Sequence, residues 1–362
     1  MKRIICTVTN DLTYDQRMQR ICGSLAANGF EVLLVGRKLK ESLPLQWQPF
    51  TQKRLSCFFN QGFLFYAEYN LRLFFWLLFQ KADVFCAIDL DTILPNYCAS
   101  LLKRKHRVYD AHELFTEQKE IVTRPAVHKF WLAVERFAVP KFKQGYTVNE
   151  FIVEELYKRY GVRYTTVKNL PKLSIIAESK TEAPFIIYQG AVNEGRSFET
   201  LIPAMKQVNA KLIICGKGNF FAQVQQLIEE NTLEEKVLLK GYVQPEELKL
   251  LTPKAHAAVM LFEATGLNQY YSLSNRFFDY IMAGVPQVCV AYPEYKAVND
   301  VFDIAYLIAD TREETIANAL NNLLNDDVVQ DRLKQNCFLA RQQLNWENEE
   351  QKLINFYQKL LG

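Results

Sequence analysis

Four short stretches of this sequence carry residue types suited to holding a phosphate-bearing ligand. Gly190-Ala191-Val192-Asn193-Glu194-Gly195-Arg196 follows the apolar run Phe185–Tyr188 and precedes the helical stretch SFETLIPAM. Gly190 and Gly195 let backbone amides approach a ligand closely, Asn193 lies between them, and Arg196 places a fixed cation at a helix start. Gly216 and Lys217 follow the next apolar run, and Lys240-Gly241-Tyr242-Val243 ends the third, where Tyr242 can pack on a planar base. Beyond them Ser272-Leu273-Ser274-Asn275 opens another helix with backbone amides, Arg276 adds a cation, and Asp279 lies one turn on, able to accept bonds from ribose hydroxyls. Amides, cations and one acid describe a nucleoside diphosphate site, although a glycine loop alone is an ordinary turn.

A second group lies in the first half. His112 directly follows an apolar run, with Asp110 and Glu113 beside it. An imidazole there can donate a hydrogen bond to a departing phosphate or to a sugar hydroxyl. Asp89-Leu90-Asp91 has the spelling of a metal-binding acid pair, but is read as the acidic start of a helix, and no metal is expected.

The elements that must position these groups alternate between strand and helix. In the first half, Lys2–Val8, Glu31–Gly36, Asp83–Ile88, Arg107–Tyr109 and Gly145–Val148 have strand character. Helices are expected over 14–28, 91–104, 126–140 and 150–160. The pattern breaks near Val167, and the polar segment Glu178–Pro184 suits a linker. It then resumes with Phe185–Tyr188, Lys211–Cys215, Lys236–Leu239, His256–Phe262 and Gln287–Ala291. Alternation of this kind implies parallel sheets with right-handed crossovers. The expected architecture is α/β, two doubly wound domains facing across a cleft. Residues 1–170 form the first domain, 171–184 a linker, 185–340 the second domain, and 341–362 an amphipathic closing helix. Ligands of such sheets bind beyond the carboxyl ends of the strands, where all the loops above lie.

Composition removes several alternatives. The chain has 362 residues, 43 Lys and Arg against 40 Asp and Glu, and eight cysteines without a CxxC pair. That spacing offers no zinc site and no thioredoxin-like pair; reduced core thiols in a cytoplasmic protein are expected. No G-x-G-x-x-G follows the first strand, which disfavours a dinucleotide enzyme, and no nucleic-acid motif accompanies the basic clusters. Charged residues interrupt Leu55–Gln80, so it is not a membrane span. Two readings stay open for it, a core helix or a helix whose aromatic flank touches a bilayer. The near-neutral total conceals an asymmetry: residues 1–170 hold 25 basic and 16 acidic residues, the remainder 18 and 24. The basic half, with Lys103–Arg107 beside the aromatic stretch, suits contact with an anionic membrane face.

The order of the loops in the second half resembles the C-terminal domain of GT-B glycosyltransferases, family 4 (glycosyl transferases group 1). The resemblance covers essentially the whole chain and is strongest from about Phe185 to Val290. It rests on Arg196 before Leu201-Ile202-Pro203-Ala204 and on Asp279-Tyr280-Ile281-Met282-Ala283-Gly284-Val285-Pro286. Thr9-Asn10-Asp11 with Asp15-Gln16-Arg17, Ala87–Thr92 and Tyr109–Glu113 resemble a bacterial subgroup. The resemblance implies a GT-B fold and transfer of a hexose from a UDP- or GDP-sugar to a hydroxyl acceptor. That acceptor would be a glycan or lipid-linked glycan of the bacterial cell surface. It implies retention of configuration, with the nucleotide sugar a co-substrate and no cofactor. Arg196 would bind the diphosphate, the amides near Ser272–Ser274 the distal phosphate, Asp279 the ribose, and Asn10, Asp11 and Asp15 would lie on the acceptor side. The chain departs from the family at Ala191, where an arginine is common, leaving Lys217 or Arg276 to replace it. It departs again at Tyr271, where an acid usually stands, with Glu263 or Asn268 as substitutes. A nucleotide-sugar epimerase on the same scaffold, or a non-enzymatic polyanion or membrane-surface binder, are the alternatives.

Overall fold

The computed structural model describes residues 1–13, 15–174 and 183–362. Tyr14 and most of the expected linker lie outside the described residues. The chain divides into two compact units, Met1–Asn169 with Glu349–Gly362, and Leu170–Asn348.

The first unit is built on a seven-stranded parallel sheet: β1 Arg3–Thr7, β2 Glu31–Lys38, β3 Thr51–Ser56, β4 Val84–Ile88, β5 His106–Ala111, β6 Gln144–Thr147 and β7 Thr165–Thr166. Their spatial order is β3-β2-β1-β4-β5-β6-β7. Ile4, Ile5 and Cys6 in β1 and Phe85, Cys86 and Ala87 in β4 are fully enclosed. Continuous apolar runs of this kind belong to central parallel strands covered on both faces. β3 has no such run. Thr51–Ser56 is an edge strand through its pairing with Leu33–Lys38 of β2, which is why its sequence does not announce it. The final helix, Trp346–Leu361, lays Phe356 and Tyr357 against Tyr146, with ring centres 5.6 and 6.2 Å away.

The second unit repeats the plan with six parallel strands: β8 Phe185–Gln189, β9 Lys211–Cys215, β10 Val237–Gly241, β11 Ala257–Met260, β12 Gln287–Val290 and β13 Ala305–Ile308. Their order is β10-β9-β8-β11-β12-β13. The helix Asn275–Ala283 stops at Gly284, whose φ of +67° favours glycine, and a β-carbon there would come within 2.3 Å of the Phe338 ring. Six of the eight cysteines are buried, Cys57 is half-buried and Cys98 exposed, and all eight are free thiols.

Candidate functional site

In each sheet the strand order reverses at one place, where neighbouring loops part and leave a crevice above the carboxyl ends. In the second unit the reversal lies between β8 and β11. The loop after β8 is braced by the loop after β9, with Gly190 N donating to the Cys215 carbonyl at 2.9 Å and Val192 N to that of Lys217 at 3.1 Å. The backbones approach so closely that a β-carbon on Gly218 would stand 2.2 Å from the Val192 oxygen, and one on Gly216 would strike the Gly190 carbonyl. Asn193 and Asn219 lock the pair reciprocally, the side-chain oxygen of each accepting from a backbone N–H of the other loop at 3.1 Å.

Two guanidinium groups converge on one ring at this place. Arg196 lies 4.0 Å and Arg276 4.9 Å from the centre of Phe262, the residue that leaves β11, and Arg276 also stacks 4.4 Å from Tyr188. Arg276 sits in the first turn of the helix Asn275–Ala283, 6% exposed, with Nη1 placed 3.9 Å from where a Gly190 β-carbon would be. Among the described residues no carboxylate forms an ion pair with it. An enclosed cation met by ring faces rather than by an acid is a costly arrangement in an empty protein and a favourable one once an anion arrives. One turn on, Asp279 accepts from Gln189 Nε2 at 3.3 Å, and Gln189 is itself fixed by Thr252 and Tyr280.

In the first unit the reversal lies between β1 and β4. Asp89, at the end of β4, holds a positive φ of 54° and accepts from the backbone N–H of His112 at 3.0 Å. His112 Nδ1 stands 4.0 Å from the other Asp89 oxygen. Asp91, buried, accepts from the Thr9 hydroxyl. Burial is the main cause that lifts Asp91 to a pKa of about 7, and burial with repulsion from Glu113, Asp91 and Asp110 raises Asp89 as well. His112 moves the other way: although two-fifths of its side chain is open to solvent, desolvation and then the Arg17 cation push it below its ordinary value. Asp89, His112 and Glu113 bring three ligand atoms within 4.8 Å of one another, a spacing a divalent cation can bridge.

Residues 172–338 match the family model described as Glycosyl transferases group 1. That match takes in nearly all of the second unit, Leu170–Asn348. The whole chain superposes on sucrose-phosphate synthase from Thermosynechococcus elongatus with a TM-score of 0.83 at 17% identity, covering 99% of both chains. It superposes on HepE of Anabaena, solved in complex with UDP, with a TM-score of 0.75 at 12% identity, covering 99% and 100%. The fold is therefore GT-B, as the loop order implied. A poly(glycerol-phosphate) alpha-glucosyltransferase from Bacillus subtilis is 28% identical over 152 residues, 39% of this chain. The chain spans about a fifth of that protein, 21% of its length.

Seen within this glycosyltransferase fold, the expected site residues divide. Gly190, Gly195, Arg196, Arg276 and Asp279 stand around the β8–β11 reversal, with Arg276 next to Gly190. Lys217 and Tyr242 are exposed at the ends of β9 and β10, with Gly216 wedged against the Gly190 carbonyl. Val243 is core, and Leu273 is half-buried against that core. Two of the expected free amides are already engaged: Ser272 N donates to the Gln269 carbonyl at 3.2 Å and Ser274 N to the Tyr295 hydroxyl at 3.1 Å. Asn275 is exposed at the helix start.

In the first unit, His112 and Glu113 lie at the strand ends as expected, but Asp110 does not join them at the surface. It is fully enclosed and receives two hydrogen bonds from the Arg17 guanidinium, one at 2.8 Å to Nη2. The reason is position in the strand: Asp110 lies within β5, where 108–111 are buried, and is taken up there by Arg17, whereas His112 and Glu113 follow the strand's end. Asp15 caps that helix through Met18 N at 3.0 Å and accepts from Asn10, and Asp11 pairs with Arg54, Ser42 and Thr13. These three acceptor-side residues shape the loop with their own side chains. Sequence reasoning named Asp89 only as the acidic start of a helix and Arg17 only within the family-like first loop, and gave neither a place in the site. The acid pair after β4 was the available signal for Asp89; Arg17 needed the packing of a helix on a sheet.

Proposed function

We propose that this protein transfers a sugar from a nucleoside diphosphate sugar, UDP- or GDP-linked, to a hydroxyl of a glycan or lipid-linked glycan. The setting would be bacterial cell-surface polysaccharide synthesis, with retained configuration and without a metal. The observation that carries the reading is Arg276, enclosed and paired with no carboxylate among the described residues, in the part of the chain that matches the group 1 glycosyltransferase family. During transfer, negative charge grows on the departing diphosphate, and preorganised cations stabilise it most when water is excluded. Arg276 and Arg196 supply those cations, the Gly190 and Gly216 loops let backbone approach, and Asp279, held by Gln189, accepts from the ribose. His112, neutral at working pH, donates a hydrogen bond to the sugar or the leaving group while the Asp89 carboxylate orients its backbone. The UDP complex of Anabaena HepE and the Bacillus subtilis alpha-glucosyltransferase support the donor class and the acceptor setting.

The test begins with thermal shifts in UDP and GDP, followed by transfer from a panel of labelled nucleotide sugars to lipid-linked acceptors. Turnover with a chelator is expected to match turnover without it; loss that added divalent cation restores would assign Asp89, His112 and Glu113 to a metal. Conversion of donor alone to an epimer would favour the epimerase, and no shift with any nucleotide would favour a binding protein.

A further inference from the structure

The helix Gly62–Leu78 is apolar on two opposite faces. Phe65, Tyr69, Leu73 and Leu77, four residues apart, are buried against the sheet. On the other side Leu64, Leu71 and Phe75 point to solvent, each more than half exposed, and Phe79 just beyond the helix is 85% exposed. At 1.5 Å per residue the outer stripe runs roughly 25 Å. A helix on a water-facing surface normally carries its polar residues on that side. Here the only charges on the helix, Glu68 and Arg72, pair with each other at 2.7 Å, and Glu68 also accepts the backbone amides of Phe58 and Phe59.

Neighbouring helices of the same unit extend the stripe. Phe63 meets Phe130 of the helix Pro125–Ala138 edge-on at 5.7 Å, and Phe137 of that helix meets Tyr97 at the same distance. Cations surround these rings. Lys141 lies 3.7 Å over Phe137, Arg107 lies 5.1 Å over Tyr97, and Lys103 donates to the Leu78 carbonyl at 2.7 Å. Acids are missing from the same segments. Residues 93–107 hold four Lys and Arg and no acid; residues 123–143 hold five and one acid, Glu135, which is buried on Thr116.

We propose that this face of the first unit docks on an anionic bilayer, its aromatic and aliphatic side chains entering the interfacial layer and its cations meeting lipid phosphates. Lys105 pairs with Asp83, but the other cations of these two segments border the aromatic and aliphatic stripe, and apolar groups on one side of a helix edged by Lys and Arg form the pattern of interfacial binding. Each cation near an anionic surface contributes about 1 kcal/mol, or roughly a fivefold change in partitioning. The Glu68–Arg72 pair brings no net charge into the layer. The proposal stands apart from glycosyl transfer, because none of these residues belongs to either crevice.

Co-sedimentation of the full chain with vesicles tests it. The protein should pellet with phosphatidylcholine vesicles containing phosphatidylglycerol at low salt, fail to pellet with phosphatidylcholine alone, and release at about 0.5 M salt, where screening shortens to a few ångströms. Leu71→Ser/Phe75→Ser should abolish pelleting, and Lys129→Glu/Arg136→Glu, both exposed and outside the core, should reduce it by well over tenfold. Both variants should keep the wild-type Tm and the UDP shift. Absence of binding to anionic vesicles overturns the proposal, as does equal binding by the charge-reversal variant. A concentration-dependent dimer that Phe75→Ser dissociates, without vesicle binding, overturns it in favour of contact between copies of this chain.

Discussion

The guanidinium of Arg276 stacks 4.4 Å from the ring centre of Tyr188, closed off from water beneath the Gly190 loop. Such a charge weakens the empty protein and strengthens the complex. Arg276→Met should therefore abolish the thermal shift produced by UDP or GDP while leaving the ligand-free Tm equal or higher. Arg276→Lys keeps the charge but loses the planar stacking, and should weaken nucleotide affinity about tenfold. A UDP shift that survives Arg276→Met would remove this residue from the phosphate site.

Arg17 and Asp110 form the opposite case, a buried cation with its acid. Removing one partner leaves the other charge enclosed and alone. Arg17→Ala should cost about 3–5 kcal/mol in denaturant unfolding, more than Arg163→Ala, whose pair with Glu154 is exposed. The double replacement Arg17→Met/Asp110→Leu should recover most of the loss. A single-variant cost below about 1 kcal/mol, the level of a surface pair, would contradict the burial argument.

The acids near β4 make stability depend on pH. Asp91, raised to about 7 by burial, takes up a proton in the folded state that the unfolded chain lacks between its ordinary range and neutrality. Its contribution is complete at low pH and is lost as pH rises through about 7. His112, lowered, acts in the other direction, costing stability as pH falls below its ordinary 6.5. Asp91→Asn keeps an oxygen for the Thr9 hydroxyl and removes the ionisation. Relative to the wild type, it should remove a fall in stability between about pH 4 and 7; a Tm difference between variant and wild type that does not change across that interval would count against a raised Asp91.

His112→Ala should lower kcat by about a hundredfold with little change in UDP affinity. Because the imidazole stays neutral, the His112 contribution should not vary between about pH 6 and 8, and His112→Asn, which keeps a donor, should restore part of the turnover. Full turnover in His112→Ala would end the assignment.

Gly218→Ala tests the bracing of the two glycine loops. Its β-carbon would stand 2.2 Å from both the Val192 oxygen and the Asn193 side chain, and both contacts are held by the reciprocal asparagine bonds. A cost of about 1–3 kcal/mol and a smaller UDP shift are expected. An unchanged shift at unchanged Tm would show that the loops move apart freely.

What drives each element decides how plainly the sequence shows it. Lys2–Val8, Asp83–Ile88 and Lys211–Cys215 could be read because central parallel strands are buried on both sides and must be apolar throughout. Thr51–Ser56 could not, being a half-exposed, polar edge strand that forms through a neighbour, and Ala305–Ile308 was missed although its four residues are apolar. The stretch 55–80 was open between a core helix and a bilayer-facing one because hydropathy alone does not tell which face is covered; one face is buried and the other is not.

The sequence by itself determined the two parallel sheets, the loops that end their strands and the family of the second unit, since each of these is a local pattern of apolar runs, glycines and cations. Only the tertiary structure decided that Asp110 serves Arg17, that Ser272 and Ser274 spend their amides internally, that Asp89 stands under His112, and that Arg276 lies enclosed with no acid paired to it among the described residues. Those are pairings between residues far apart in the chain, and burial, not spacing along the chain, sets what each charge must do.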